Sequence, residues 1–262
     1  MTNILDTIIS RKQVEVKESK QRCSITSLEE MPLFLRETLS LKASLLDKSK
    51  SGIIAEYKRQ SPSKGIINDR SAIVDVTSAY TQFGASGISV LTDTDFFGGS
   101  LEDLVEARIN NIPLLRKDFI IDEYQLIEAK AHGADVILLI AACLSPAEVK
   151  RLAAFAKSLH LEVLLELHEE SELEHVCDEV DLVGVNNRNL KTFAVDLEHS
   201  IKMASKIDDR FIKIAESGIN ETKAIHYLKQ HGFSGFLIGE NFMRTEDPGA
   251  AFKAFVEEIN AS

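Results

Sequence analysis

A chain of 262 residues with 44% apolar and 27% charged side chains has the composition of an ordinary globular domain rather than a disordered one. Its formal net charge of -11 excludes non-specific binding to nucleic acid or to an anionic membrane surface, so any basic site must be local. The longest uninterrupted apolar run, Val136 to Leu144, holds nine residues, against the roughly 20 that cross a bilayer.

From the start of the chain, Met1-Thr2-Asn3-Ile4-Leu5-Asp6 lacks the basic-then-apolar pattern of an export signal. Cys23, Cys143 and Cys177 are odd in number and form no C-x-x-C pair, so neither a disulfide framework nor a zinc motif is expected and a reducing cytoplasm fits. Residues 1 to about 50 read as helical, because Ile4, Leu5, Ile8 and Ile9 make an apolar stripe at helical spacing. Such a stripe needs a surface to bury against. The segment is therefore expected as an extension of a single domain spanning 1–262, lying over its functional face. Within it, Ser27-Leu28-Glu29-Glu30 offers a capping box, and a helix start at Pro32 is an equal alternative.

From Gly52 to Glu240, eight short apolar runs alternate with helix-like stretches. They end at Glu56-Tyr57-Lys58, Thr92-Asp93, Arg116-Lys117, Ile140, Glu166, Asn186-Asn187-Arg188, Glu216-Ser217-Gly218 and Gly239-Glu240. A spacing of roughly 20 to 35 residues suits one strand-plus-helix unit. The rhythm predicts an α/β fold, a closed (β/α)8 TIM barrel, whose polar strand ends form the active site. Gly98-Gly99-Ser100 reads as a turn and an N-cap. Ser145-Pro146-Ala147-Glu148 supplies an N-cap, a proline in the first turn and a reciprocal glutamate. His168 and His175 fall in an acidic stretch that reads as helical and solvated, no H-E-x-x-H pair occurs, and no metal is expected.

At the first strand end, Glu56 and Lys58 are two apart and share a face, while Tyr57 points the other way. An acid and a base meet there if that face is the barrel mouth; a surface ion pair is the plainer alternative. Pro62 ends the strand and leaves Ser61 to Gly65 as an exposed loop able to close over a ligand. Arg116 and Lys117 alternate across the sheet, so one of them enters the mouth and the other does not. Glu166 closes a mostly apolar run, where partial burial would raise its pKa toward general acid or base duty. Asn186 beside Arg188 suits a ligand bearing carboxylate or hydroxyl groups. The last two strand ends carry glycines where backbone must approach something closely. Amides of Gly218, Gly239 and Glu240, with the Ser217 hydroxyl, would bind phosphate where barrels hold it.

Taken together, the segments Ile54 to Ser63, Leu114 to Phe119, Val185 to Leu190, Ala215 to Gly218 and Leu237 to Glu240 resemble the indole-3-glycerol phosphate synthase family. Leu91-Thr92-Asp93, Phe96 to Ser100 and the helical extension carry the resemblance over nearly the whole chain. It implies a carbon-carbon lyase (carboxy-lyase) of tryptophan biosynthesis that closes 1-(2-carboxyphenylamino)-1-deoxyribulose 5-phosphate to the indole, losing carbon dioxide and water, with no cofactor expected. By resemblance Lys117, not Arg116, would be the general acid in ring closure. Glu166 would be the acid/base in dehydration with Glu56 assisting, and Glu216 would help position the substrate. Lys58 would face the substrate carboxylate, with Asn186 bonding substrate oxygens and Arg188 supporting that wall. Ser61, Ser217, Gly218, Gly239 and Glu240 would hold the phosphate, and Phe97, Phe119, Leu138 and Leu190 would form a slot for the aromatic ring. Two ammonium groups in one pocket would lower each other's pKa toward neutrality.

The partners implied are the phosphorylated aromatic substrate and, weakly, other enzymes of the tryptophan pathway, with no nucleic acid and no membrane. A barrel isomerase of phosphoribosyl intermediates would share the phosphate site but call for a cysteine or aspartate pair at strand ends. A barrel that only binds a phosphorylated ligand would dispense with the acid/base residues that are filled here.

Overall fold

The computed structural model describes residues 4–188 and 195–261, and within them the eight apolar runs lie side by side as parallel strands of a closed barrel. These are β1 (Ile53–Tyr57), β2 (Gly87–Leu91), β3 (Leu114–Lys117), β4 (Val136–Ile140), β5 (Glu162–Leu167), β6 (Leu182–Asn186), β7 (Ile212–Glu216) and β8 (Phe233–Ile238). Sequence neighbours pair throughout, and β8 closes on β1 through Ile54 opposite Leu237. Both faces of such a sheet are covered, which is why the strands read as continuous apolar runs rather than as an alternation. Ile54, Leu115, Leu138, Leu164, Leu182, Ile214 and Leu237 point inward and fill the lumen. Their neighbours Ile53, Ala55, Leu114, Ile137, Leu139, Val163, Leu165, Val183 and Phe236 pack against the surrounding helices.

Three helices precede the barrel: α1 (Ile4–Arg22), α2 (Ile25–Glu29) and α3 (Leu41–Leu46). The outer layer is α4 (Ile73–Gln82), α5 (Leu101–Ala107), α6 (Glu123–Ala131), α7 (Pro146–Ser158), α8 (Leu197–Ala204), α9 (Thr222–Gln230) and α10 (Pro248–Ala261). The N-cap at Ser100 and the reciprocal box of Ser145 with Glu148 form as the sequence predicts. The extension divides its work between the two ends of the barrel. Leu41 and Leu45 of α3 join the lumen cluster, and a Cβ on Gly87 would come 2.6 Å from Leu41, so α3 plugs the end where the strands begin. Only α1 reaches the opposite end, where Ile4, Leu5 and Ile8 line the cavity above the strand C-termini.

Three local expectations are corrected. The helix expected at Ser27 or Pro32 starts a turn earlier, because the Ser24 hydroxyl accepts from the Ser27 amide at 3.1 Å and caps α2, leaving Glu30 at its C-terminus. The loop from Ser61 to Gly65 is a small hairpin, Gln60–Ser61 antiparallel to Gly65–Ile66, turned where Gly65 takes a positive φ of 67°. The acidic stretch after β5 is a 3-10 turn over Glu170–His175 rather than an α-helix, since the Glu172 carboxylate folds back onto the amides of His168 and Glu169. His168 and His175 are consequently buried rather than solvated. The His175 ring wedges against the Leu144 carbonyl at 2.9 Å, while His168 turns into the barrel mouth.

Candidate active site

Alternation decides which side chains the strand ends deliver. On β1 it sends Tyr57 outward, where its hydroxyl donates to the Ser71 carbonyl, and turns Glu56 inward beside Lys58, with Nζ to Oε1 at 2.8 Å. On β3 it sends Arg116 outward into a sealed cluster with Asp118 and Glu128, leaving Lys117 to the mouth. There a cavity of about 770 Å³ opens, and every residue singled out from the sequence lines it except Leu190, which lies outside the described residues. Lys58, Lys64, Arg188 and Arg244 bring local positive charge to its rim in an otherwise acidic chain.

At the floor, the Lys117 ammonium bridges two carboxylates, donating to Glu166 Oε2 at 2.9 Å and to Glu216 Oε2 at 3.1 Å. Glu166 is further held by Asn186, whose Nδ2 donates to Oε1 at 2.9 Å, and by His168, whose Nε2 lies 3.0 Å from the same oxygen. The Arg188 amide in turn donates to Asn186 Oδ1 at 3.0 Å and fixes the amide's orientation. Glu216 is only 1% exposed, and its Oε1 has no hydrogen-bond partner among the described residues. It fits because β6 carries Gly184 opposite it, where a Cβ would stand 2.0 Å from that oxygen.

These contacts overturn two electrostatic expectations. Burial acts on Glu166 in the expected upward direction, but Lys117 and His168 outweigh it and hold the carboxyl well below its usual range. Glu216 is the carboxyl that moves up, to about 7, because burial and the neighbouring Glu166 charge exceed what Lys117 returns. Nor does crowding by a second ammonium lower Lys117. Burial does disfavour its charge, but Glu166, Glu216 and Glu56 together raise its pKa above that of an ordinary lysine. Those three carboxylates thus favour the charged ammonium.

The wall formed by β7 and β8 is backbone rather than side chain. Ser217 and Gly218 take positive φ values of 68° and 71°, and Gly239 precedes a single helical turn, Glu240–Met243, whose first amides have no acceptor within the helix. Glycine is required at Gly239, because a Cβ there would fall 2.7 Å from Glu56 Oε1. Asn187, which the sequence left without a role, holds the strained serine in place: its Nδ2 donates to the Ser217 carbonyl at 2.7 Å. Ser61, Lys64 and Arg188 face the same corner. Opposite, the Phe97 and Phe119 rings stand 6.0 Å apart, and Leu138 with Ile8 of α1 extends an apolar slot.

Charged groups, a glycine-bearing backbone wall and an aromatic slot thus meet in one cavity. A family model described as indole-3-glycerol phosphate synthase matches residues 5–255. The chain belongs to that family. A relative of the same name from Bacteroides thetaiotaomicron is 45% identical over 99% of this chain and 100% of its own length. Another, from Prochlorococcus marinus, is 44% identical over 98% of this chain and 90% of its own. Among solved structures, a mutant tryptophan synthase alpha-subunit from Pyrococcus furiosus superposes with a TM-score of 0.62 at 14% identity. It covers 82% of this chain and 99% of that one, and the likeness concerns the barrel fold alone.

Two residues at the synthase site escaped the sequence reading although a signal was present. His168 lies two positions after Glu166, the same strand-end parity that links Glu56 with Lys58 and Asn186 with Arg188. Lys12 lies four after Ile8 and four before Val16, on the buried stripe of α1, and contacts Asp93 at 3.0 Å and Asp118 at 2.8 Å.

Proposed function

We propose that this chain converts 1-(2-carboxyphenylamino)-1-deoxyribulose 5-phosphate into indole-3-glycerol phosphate, carbon dioxide and water, with Lys117 as the acid of ring closure. The observation that carries this assignment is the Lys117 ammonium held between two buried glutamates at the floor of a cavity walled on one side by the backbone of Ser217, Gly218 and Gly239.

The substrate phosphate sits against the amides of Gly218, Gly239 and Glu240, with the Ser217 and Ser61 hydroxyls beside it. The anthranilate ring enters the slot of Phe97, Phe119 and Leu138, and its carboxylate faces Lys58. The ring carbon bearing that carboxylate attacks the ketone; a carbon-carbon bond forms while Lys117 gives its proton to the ketone oxygen. An ammonium already charged and desolvated stabilises the negative charge growing on that oxygen at no cost in solvent reorganisation. The carbon-carboxylate bond then breaks, and its electron pair restores the aromatic ring. In dehydration the new hydroxyl leaves as water with a proton from the Lys117 ammonium, recharged from solvent, and Glu166 removes the hydrogen from the adjacent carbon, whose electron pair closes the double bond. An anionic Glu166 suits a base, and Glu56 assists. Glu216, Asn186 and Arg188 orient the substrate oxygens.

In the cell we place the chain in the cytoplasm, in keeping with a family of biosynthetic enzymes; separately, no helix among the described residues is long and apolar enough to cross a membrane. Weak association with other enzymes of tryptophan synthesis belongs to the same reading. The test is indole fluorescence on mixing protein and substrate, against no intrinsic background because the chain contains no Trp. Growth of signal that Lys117→Ala abolishes supports the assignment; saturable binding without fluorescence sinks it.

A further inference from the structure

Two carboxylates share one lysine at the floor of the cavity, yet their remaining surroundings are unequal. Glu216 has Lys117 on one oxygen and no hydrogen-bond partner among the described residues on the other. Glu166 has Lys117 on one oxygen and both Asn186 and His168 on the other. Asn186 gives a neutral donor to Glu166 alone, and the ring of His168 is the further group on that oxygen that can also bring charge to it. We propose that His168 is a positioning residue that decides which of the two glutamates holds the proton, keeping Glu166 ionised as the base and assigning the proton to Glu216.

The residue is placed for this. It follows β5 directly, is buried, and turns its ring into the cavity two positions after Glu166. Its Nε2 lies within hydrogen-bond reach of Glu166 Oε1 without being aligned on it, so the ring acts on Glu166 as a donor and, when protonated, as a charge. The groups facing it favour that charge. Glu166 of β5 is 3.0 Å from Nε2 and Glu172 of the 3-10 turn is 3.9 Å from Nδ1, and Glu216 of β7 adds its field from across the barrel when it is ionised. From α8, the His199 ring reaches only the His168 carbonyl, at 3.1 Å. From the turn after β4, Cys143 stays a neutral thiol, its pKa pushed up to about 12 by burial and by Glu166 and Glu172. Lys117 opposes the imidazolium from the far side of Glu166. Burial lowers the His168 pKa, and Glu166 with Glu172 more than restores it, so the net direction is upward. Pairs of acids whose environments separate their pKa values are how one site holds an acid and a base at once.

The inference rests on the synthase reading only for what the ionised Glu166 is used for; the distribution of the proton can be measured without substrate. In protein labelled with 13C at the glutamate carboxyls, with Glu166→Gln and Glu216→Gln assigning the signals, one carboxyl should titrate near pH 7 and belong to Glu216. In His168→Leu, and equally in His168→Asn, which keeps a donor but not the charge, that step should weaken and a titration should emerge at Glu166. The acid limb of the kcat profile should then rise by about one pH unit, with KM within about threefold. Unchanged carboxyl titrations in both variants, or a wild-type profile restored by Asn alone, would overturn the proposal. Because the titration needs no turnover, a failure of the synthase assay does not blur it.

Discussion

Lys117 bridges two carboxylates and Lys12 three, and the two lysines are different devices. Lys12 of α1 is 1% exposed, touches Asp93, Asp118 and Glu15 within 3.0 Å, and has no free space around its ammonium. Its two aspartates are spent in turn on backbone: Asp93 accepts the amides of Phe96 and Phe97, and Asp118 accepts that of Phe119. Every charge is answered, so the cluster docks the extension and steadies the aromatic slot without reacting. Lys117 faces a cavity, one oxygen of Glu216 beside it has no partner among the described residues, and one of its two carboxyls titrates near neutrality. Satisfaction is what separates a clamp from a group free to react, the role proposed for Lys117, when composition and burial are nearly the same.

The contrast is broken most sharply by neutralising each lysine. Lys117→Met should lower kcat by about 10³, or about 4 kcal/mol of transition-state stabilisation, and should also lower the melting temperature, because Glu166 and Glu216 lose their shared cation. Lys12→Met should cost stability and spare turnover. Leaving buried carboxylates unpaired costs about 3 kcal/mol or more, read as a fall of roughly 6–10 °C in melting temperature, while kcat of the folded enzyme at saturating substrate stays within about threefold. If Lys12→Met removed turnover at full stability, the division between clamp and catalyst would fail.

Smaller effects sharpen the same line. Asn187→Ala releases the Ser217 carbonyl from its clamp and should raise KM about tenfold with kcat nearly constant, because the phosphate cradle loosens while the acid/base set stays. A fall in kcat with constant KM would place Asn187 with the reacting groups instead. The least of the effects is in acid. Burial tends to raise the Asp118 pKa, but Lys12 and Arg116 hold it below the ordinary aspartate value. A depressed folded-state pKa adds stability above the unfolded value of about 4 and loses it as pH falls below. Urea midpoints followed from pH 6 down to 3 should therefore drop more steeply in the native chain than in Lys12→Met; parallel curves would argue that the cluster contributes no ionic stability.

The rhythm of apolar runs was legible because parallel strands covered on both faces must be apolar throughout, and strand parity sorted Glu56 and Lys58 from Tyr57. The same parity left Arg116 and Lys117 undecided until the barrel showed which face was inside. Local capping was legible where one hydroxyl competed for the amides, at Ser145, and misread where Ser24 stood a turn ahead of Ser27. The acidic stretch after β5 misled because a helical reading assumes that charged side chains go to water, whereas Glu172 went to backbone amides and released His168 to the cavity.

By itself, the sequence determined the barrel, its strand ends and the roster of acids, bases and glycines, because periodicity and turn chemistry act over a few residues at a time. Only the tertiary structure decided how those charges behave. Which glutamate keeps its proton, which lysine is spent on structure and which loop an asparagine restrains all depend on distances of about 3 Å between groups up to about a hundred residues apart in the chain. Coulomb interactions at that range, between side chains that are themselves largely buried, outweigh the intrinsic preferences that a residue's name conveys.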